Sequence, residues 1–216
     1  MVRQFGRIVH FDPRSKQFPI RALIPRGTVP RSYTWTCPIV LDQGSTPACT
    51  GFSVSQEAAA KPVVVKNITN AVALALYKRA QQLDEWPGEN YDGSSVLGAI
   101  KAGTEKKWYT EYRWAFSEAD LCLAVGYKGP AVLGIYWYDG MMEVDSKGFI
   151  HPTGSIAGGH AILCNGYSIT KNAYKLHNSW GAAWGTNGEC WISKSDMAKL
   201  LKKEGEACIP VVRRLG

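Results

Sequence analysis

The chain has 216 residues, 45% apolar and 20% charged, which is typical of a globular protein forming one large domain or two lobes. It lacks a run of about 18 apolar residues, so we expect no membrane-spanning helix. The formal net charge is +7, and residues 1–40 hold seven Lys or Arg residues against one acid, so the remainder is nearly neutral.

Residues 1–36 are rich in proline and arginine, and the prolines prevent any long helix. We predict a basic N-terminal arm that packs on or near the second lobe, with a short strand at Arg7–Phe11. The arm is either a solvated leader or a contact for a polyanion or an assembly partner. It has no apolar segment of the kind a secretory signal requires, so we expect a cytoplasmic location at synthesis.

A breaker-rich loop over residues 37–48 leads into a predicted helix at 49–61, which places Cys49 at or near a helix N-terminus. The positive end of a helix favours an anion, so a thiol there tends toward the nucleophilic thiolate. We interpret residues 37–125 as a helical lobe. Its further predicted helices are Asn70–Leu83, ending at Trp86-Pro87-Gly88, then Val96–Ala102, and a short helix from 118 to about 125.

After Gly126 the pattern changes to short β-branched or aromatic runs separated by Gly, Asn and Pro. We interpret residues 126–216 as a strand-rich lobe, so the predicted fold class is α+β with a cleft between the lobes. The predicted strands are Ala131–Trp137, Gly148–His151, His160–Tyr167, Ala173–His177, Glu189–Ser193 and Cys208–Arg213, with a helix at Met197–Lys203 before the last.

Six cysteines are widely spaced with no C-x-x-C pair, so we expect no zinc site. Reduced, buried thiols are the favoured interpretation, although one or two disulfides among them stay open.

Three residue types that cysteine catalysis requires occur in the chain. A cysteine nucleophile needs a base within hydrogen-bond reach, and the base needs a third group to orient it. Cys49 supplies the thiol, and His160 opens a strand. Asn178 ends the neighbouring strand, so a hairpin-like pairing would bring it beside His160. The other histidines lack such neighbours and are interpreted as structural or exposed.

These residues lie in segments that resemble the papain-like (C1) cysteine peptidases over about residues 30–216. The resemblance is closest to the shorter bacterial or phage-type members, which suggests association with a phage or a bacterium. The motifs are Gln43…Cys49…Phe52-Ser53, Gly159-His160-Ala161 and Asn178-Ser179-Trp180-Gly181-x-x-Trp184-Gly185-x-x-Gly188.

The resemblance implies a two-lobe fold, with a helical left lobe and an antiparallel β-rich right lobe, and a peptidase without metal or cofactor. Cys49 would be the nucleophile, held as a thiolate beside a His160 imidazolium that later protonates the leaving amine. Asn178 would orient the imidazole. The Gln43 side chain and the Cys49 backbone N–H would bind the oxyanion.

Four residues are implied to bind substrate, which would be a peptide or protein held by a monomeric enzyme. Gly93 and Ser94 match the loop that pairs with an extended substrate, and Trp180 would cover the His160–Asn178 bond. Gly159 suggests a subsite wall without charge, and hence an apolar preference two residues before the cleaved bond.

The chain also departs from the family pattern. Thr46-Pro47-Ala48-Cys49-Thr50 lacks the first cysteine and the aromatic residue of the usual signature. Only 48 residues precede Cys49, too few for the usual inhibitory propeptide, and we hypothesise that residues 1–28 partly occupy the cleft or anchor a partner. Two alternatives stay open: an amidase or transpeptidase on the same fold, and a catalytically silent binding protein.

Overall fold

The computed structural model describes residues 4–84 and 91–212, in which helices pack on both faces of an antiparallel sheet. Side-chain hydroxyls determine where most helices begin, because Thr69, Ser95, Ser117 and Ser193 each accept a hydrogen bond from a first-turn backbone N–H. The α-helices of the described ranges are α1 (Cys49–Ala59), α2 (Asn70–Leu83), α3 (Val96–Glu105), α4 (Glu118–Tyr127) and α5 (Lys194–Lys202).

Seven strands form the described sheet, and each strand pairing in it is antiparallel. The strand order is β2-β7-β3-β4-β5-β6, with β1 paired to β4. The strands are β1 (Tyr33–Thr34), β2 (Tyr112–Trp114), β3 (Ala131–Tyr138), β4 (Ile156–Ser168), β5 (Ala173–His177), β6 (Glu189–Ser193) and β7 (Glu206–Pro210).

The central strand β3 is buried on both faces, and its alternate side chains enter two different cores. Leu133, Ile135 and Trp137 pack in the core that contains α4 and α5. Val132 points the other way, into the core that contains α1 and α3. This two-residue alternation is the geometry of any strand, and it explains why β3 reads as a continuous apolar run.

The N-terminal arm is part of the fold. Its prolines allow two short 3-10 helices, Pro13–Gln17 and Ile20–Leu23, and place Ile20 and Ile24 in the sheet core. The predicted strand at Arg7–Phe11 is wrong, because Arg7 forms one isolated parallel bridge and no strand follows it.

The predicted α+β class is confirmed, and most predicted elements lie within a few residues of those observed. Gly148–His151 forms an isolated bridge through Phe149 in place of a strand, and the three-residue strand β2 was not predicted. The predicted stop at Trp86-Pro87-Gly88 lies outside the described residues.

The division into units 1–36, 37–125 and 126–216 stays a prediction. Helix α4, assigned from the sequence to the helical lobe, packs in the core of the sheet. Within the described ranges, no helix combines the length and apolar character needed to cross a membrane.

Candidate active site

Cys49 is the first residue of α1, a helix whose every residue is buried. The fit against α2 is close, since a Cβ on Gly51 would lie 2.5 Å from the carbonyl oxygen of Ala73. Glycine therefore lets the two backbones approach, and the cysteine is held at the end of a helix with little freedom to shift.

His160 lies within β4, and Asn178 directly follows β5, which pairs with β4. The Nε2 atom of His160 is 2.8 Å from Oδ1 of Asn178. Asn178 Oδ1 also accepts from the backbone N–H of Ser179 at 2.9 Å, so this oxygen is the acceptor and Nε2 carries the proton. The Nδ1 atom of His160 is buried without a hydrogen-bond partner among the described residues and is available to a thiol.

Three aromatic rings enclose this pair. The ring centroids of Trp137, Trp180 and Phe5 lie 4.8, 5.1 and 5.8 Å from that of His160. The rings exclude water, so the His160–Asn178 hydrogen bond lies in a low-dielectric setting where it is strong.

The structure brings Cys49 to the histidine strand, where its Sγ accepts from the backbone N–H of Ala161 at 3.4 Å. Complete burial raises the pKa of Cys49, while hydrogen bonds from the backbone N–H groups of Ala161, Gly6 and Thr50 oppose this shift. Burial also lowers the pKa of His160 to about 4. Both shifts favour the neutral forms of these groups in this arrangement, and the thiolate–imidazolium pair stays a prediction.

The chain's own N-terminal segment, residues 4–8, which we call the cleft segment, contributes to this burial, since the Phe5 ring lies against His160 and the Gly6 N–H donates to the Cys49 sulfur. The backbone N–H of Arg7 donates to the carbonyl of Gly159 at 2.9 Å. Ser94 is bonded on both sides, since its N–H donates to Gly6 at 2.8 Å and its carbonyl accepts from Ile8 at 2.9 Å.

The residues predicted to bind substrate all lie along the cleft segment. Ser94 and Gly159 bond its backbone, as described, and Trp180 lies edge-on to Phe5 with ring centroids 6.1 Å apart. Gly93, at φ +107°, faces Gly6 so closely that a Cβ would lie 2.6 Å from its carbonyl oxygen. An extended backbone thus occupies the predicted groove, and the substrate roles of these residues stay predictions.

Gln43, the predicted oxyanion donor, is also engaged by the cleft segment. Its Nε2 donates to the carbonyl of Gln4 at 3.2 Å and to that of Thr46 at 2.7 Å. Its Oε1 accepts from the Ser179 hydroxyl at 2.8 Å, which fixes the amide orientation. The donor therefore meets a backbone carbonyl, the kind of group that it would meet in a substrate.

Sequence reasoning missed a buried ion pair in this cleft. Both Nε and Nη2 of Arg7 contact Oε1 of Glu206, at 3.1 and 2.9 Å, and the two side chains are 1% and 2% exposed. Burial raises the pKa of Glu206 to about 7, and the Arg7 charge opposes the shift. The one signal in the sequence was an acid followed directly by the apolar run Ala207-Cys208-Ile209 in a predicted strand region.

All six cysteines lie in the described ranges and are free thiols. Cys37 is partly exposed and the other five are buried. The favoured interpretation of reduced thiols therefore describes this structure.

Residues 73–208, well over half of the chain and including His160 and Asn178, match the family described as papain family cysteine protease. The chain belongs to the papain family of cysteine proteases. Cys49 and Gln43 precede the matched range, so their assignment depends on the geometry above.

Curated relatives match parts of the chain. It is 33% identical over 85 residues to a cathepsin B-like cysteine proteinase of Schistosoma japonicum, covering 34% of this chain and 25% of that protein. It is 32% identical over 89 residues to the gamete and mating-type specific protein A of Dictyostelium discoideum, covering 41% and 20%. The matches thus span only a fifth to a quarter of these relatives.

Solved structures of papain-family proteases share the fold along nearly the whole chain. Xylellain, a cysteine protease from Xylella fastidiosa, superposes with a TM-score of 0.71 at 19% identity and covers 99% of both chains. The bromelain protease of Ananas comosus, in complex with the E64 inhibitor, gives 0.63 at 18% identity and covers 86% of this chain and 100% of its own. The predicted papain-like architecture is confirmed.

Proposed function

We propose that this chain is a cysteine peptidase that hydrolyses peptide bonds through an acyl-enzyme formed on Cys49. The thiol transfers its proton to Nδ1 of His160 and its sulfur attacks the substrate carbonyl. His160 returns the proton to the leaving amine, and water then releases the acyl group. Asn178 holds the ring, and Gln43 with the Cys49 N–H binds the oxyanion.

The observation that supports this proposal most directly is the state of the His160 ring. Its Nε2 is bonded to Asn178 Oδ1, whereas Nδ1, on the strand against which Cys49 packs, has no hydrogen-bond partner in the part of the chain that the structure describes. A base whose protonated nitrogen is fixed and whose other nitrogen is available to a thiol is what nucleophilic catalysis requires.

We further propose that the arrangement described is a latent state. The cleft segment occupies Ser94, Gly159 and Gln43, and its burial of Cys49 and His160 disfavours the charged pair that would attack a substrate. Displacing the segment would admit water and substrate and allow the proton transfer.

Other roles of the arm stay predictions. Arg7 and Arg14 are paired with Glu206 and Asp12, which leaves less of the arm's charge for a polyanion. Monomeric state, cytoplasmic synthesis, and amidase or transpeptidase activity on the same acyl-enzyme chemistry are predictions of the same kind.

The test combines covalent labelling with peptide hydrolysis in six full-length proteins. Wild type, Cys49→Ala and Cys37→Ala are treated with an epoxide thiol inhibitor and mapped by mass spectrometry, with and without Arg7→Ala to displace the cleft segment. We expect label at Cys49, hydrolysis that falls to background in Cys49→Ala, and little effect of Cys37→Ala. Hydrolysis that survives in Cys49→Ala, or an Arg7→Ala protein that neither labels nor cleaves, would refute the proposal.

A further inference from the structure

A second group of side chains that can activate a thiol lies away from Cys49. Its thiol is Cys37, which is partly exposed, whereas the other five cysteines are buried. The Cys37 side chain is hydrogen-bonded to His177. Its Sγ is 3.4 Å from the carbonyl oxygen of Ile39, and the same oxygen lies 2.8 Å from Nε2 of His177. The thiol and the imidazole therefore meet at one carbonyl group.

This group is separate from the catalytic centre. Sγ of Cys37 is also 3.4 Å from the carbonyl oxygen of Gln56 in α1. Gln56 is two helical turns from Cys49, a distance of about 10 Å along the helix axis. A reaction at Cys37 would therefore use a different thiol and a different imidazole from those of catalysis.

The contacts of His177 require a proton on both ring nitrogens. Nε2 faces a carbonyl oxygen and Nδ1 lies 3.4 Å from Oε1 of Glu189, and these groups only accept hydrogen bonds. Glu189 is held as a carboxylate, because Lys175 Nζ is 2.6 Å from its Oε2 and Asn165 donates to its Oε1 at 2.9 Å. Burial lowers the pKa of His177, but hydrogen bonds with Cys37 and Glu189 outweigh it and raise the pKa to about 9. His177 is therefore an imidazolium.

The cluster has an excess positive charge next to the thiol. His177 and Lys175 are cations and Glu189 is an anion, so these three charges sum to +1. Negative charge that develops on the Cys37 sulfur would neutralise this excess. The two carbonyl oxygens beside Sγ oppose that charge, but a hydrogen bond to an ionised group is roughly twice as strong as one between neutral groups. A partly exposed thiol beside a histidine cation is the setting in which cysteines become reactive.

We propose that Cys37 is a redox-modification site, which His177 activates toward hydroperoxides. After the thiol has lost its proton to solvent, its sulfur attacks one oxygen of the peroxide, and an S–O bond forms as the O–O bond breaks. The sulfur loses two electrons, which reduce the peroxide. For hydrogen peroxide the leaving group is hydroxide, which takes a proton from Nε2 of His177 and departs as water. Cys37 becomes a sulfenic acid, the reversible first step of cysteine oxidation.

The first experiment maps oxidation in the full-length protein. Wild type is treated with hydrogen peroxide, sulfenic acid is trapped with dimedone, and the adducts are located by mass spectrometry. We expect Cys37 to form its adduct at least about tenfold faster than the buried Cys122 and Cys164. Oxidation of Cys37 no faster than that of the two buried cysteines would overturn the proposal.

The second experiment separates proton donation by His177 from simple exposure of the thiol. Iodide leaves iodoacetamide without a proton, whereas hydroxide leaves a peroxide far more readily when it is protonated. His177→Gln keeps a hydrogen-bond donor but has no proton to give. We expect this variant to slow oxidation of Cys37 at least about tenfold more than alkylation of Cys37, and the exposed control His151→Gln to change neither rate. An equal change of both rates in His177→Gln would remove His177 from the mechanism.

Wild type also gives a comparison that needs no variant, in case His177→Gln fails to fold. The ratio of the peroxide rate to the iodoacetamide rate is measured for Cys37 and for free N-acetylcysteine in the same solution. We expect this ratio to be at least about tenfold larger for Cys37, because a proton donor is held beside its sulfur. Equal ratios would show that Cys37 behaves as an ordinary exposed thiol, and the proposal would be wrong.

Discussion

At the scale of single residues, the catalytic candidates could be identified from the sequence, and the buried Arg7–Glu206 ion pair could not. Cys49, His160 and Asn178 lie in short motifs with local context: a helix start, a glycine pair before a strand residue, and a strand end. Arg7 and Glu206 are 199 positions apart, and neither has a local pattern that indicates its partner. Such a pairing exists only once the chain has folded, so spacing could not predict it.

A second histidine shows how buried charge serves stability at a distance from catalysis. His177 is buried with Nε2 2.8 Å from the carbonyl of Ile39 and Nδ1 3.4 Å from Glu189. Burial alone would lower the pKa of His177, but interactions with Cys37 and Glu189 outweigh it and raise the pKa to about 9. Its charged form is therefore favoured in the folded protein.

We predict a pH-dependent loss of stability that belongs to His177. Because its folded pKa of about 9 exceeds the ordinary 6.5, its stabilisation is fully present below pH 6.5 and is lost as pH rises through 9. His177→Gln removes it, so the stability gap between wild type and variant should shrink by up to about 3 kcal/mol from pH 6 to pH 9.5. Urea unfolding at both pH values measures the gap. The exposed control His151→Gln should follow wild type, and a gap for His177→Gln that does not change with pH would contradict the assignment.

At the scale of elements, capping and periodicity predicted the helices well and the short pieces poorly. Helix α2 begins at Asn70 and ends at Leu83 as predicted, because Thr69 caps it and its apolar residues recur at helical spacing. Strand β2 has only three residues, which is too short for a sequence pattern to indicate. It forms by pairing with the edge of β7. The arm illustrates the same limit, since its prolines indicated the absence of a long helix and could not indicate that Ile20 fills a core.

The arm should therefore respond differently to two deletions. Removing residues 1–8 takes away the cleft segment, including Phe5 at the margin of the sheet core, but keeps Ile20 and Ile24, so we expect a folded protein in which Cys49 labels at least about tenfold faster. Removing residues 1–23 also deletes Ile20, which is 0% exposed, and loss of such a side chain costs about 2–5 kcal/mol, a large part of a typical folding free energy.

Urea unfolding and the Cys49 labelling rate together distinguish the two deletions. The protein that lacks residues 1–23 should unfold at a lower urea concentration. Any loss of its activity would then reflect a weakened fold and not the proposed regulatory role of the arm. If the shorter deletion labels Cys49 no faster than the full chain, the cleft segment does not cover the nucleophile in solution.

At the scale of the whole molecule, residues from near both ends of the chain meet in the cleft. The cleft segment, near the N-terminus, lies between α1 and α3 on one side and the sheet on the other. The side chain of Arg7 in this segment contacts Glu206, near the C-terminus. The helical layer carries Cys49 and the sheet carries His160, and the segment between them contacts both residues. Under the proposed function, latency and catalysis would depend on one set of backbone groups.

That shared set of groups predicts coupling between the active site and the arm. The carbonyl of Gly159 and both backbone groups of Ser94 are bonded by the cleft segment, so an extended inhibitor bonded there must displace it. We expect the amide protons of Arg7 and Ile8 to exchange slowly in the free protein and to reach nearly unprotected rates once a peptidyl epoxide has modified Cys49. Hydrogen exchange followed by mass spectrometry measures this, with the amides of α2 as an internal control that should not change. Iodoacetamide, which is too small to reach Ser94, should modify Cys49 and leave most of the arm's protection intact. If the peptidyl inhibitor also leaves Arg7 and Ile8 protected, segment and substrate occupy separate surfaces, and the latent state would need another explanation.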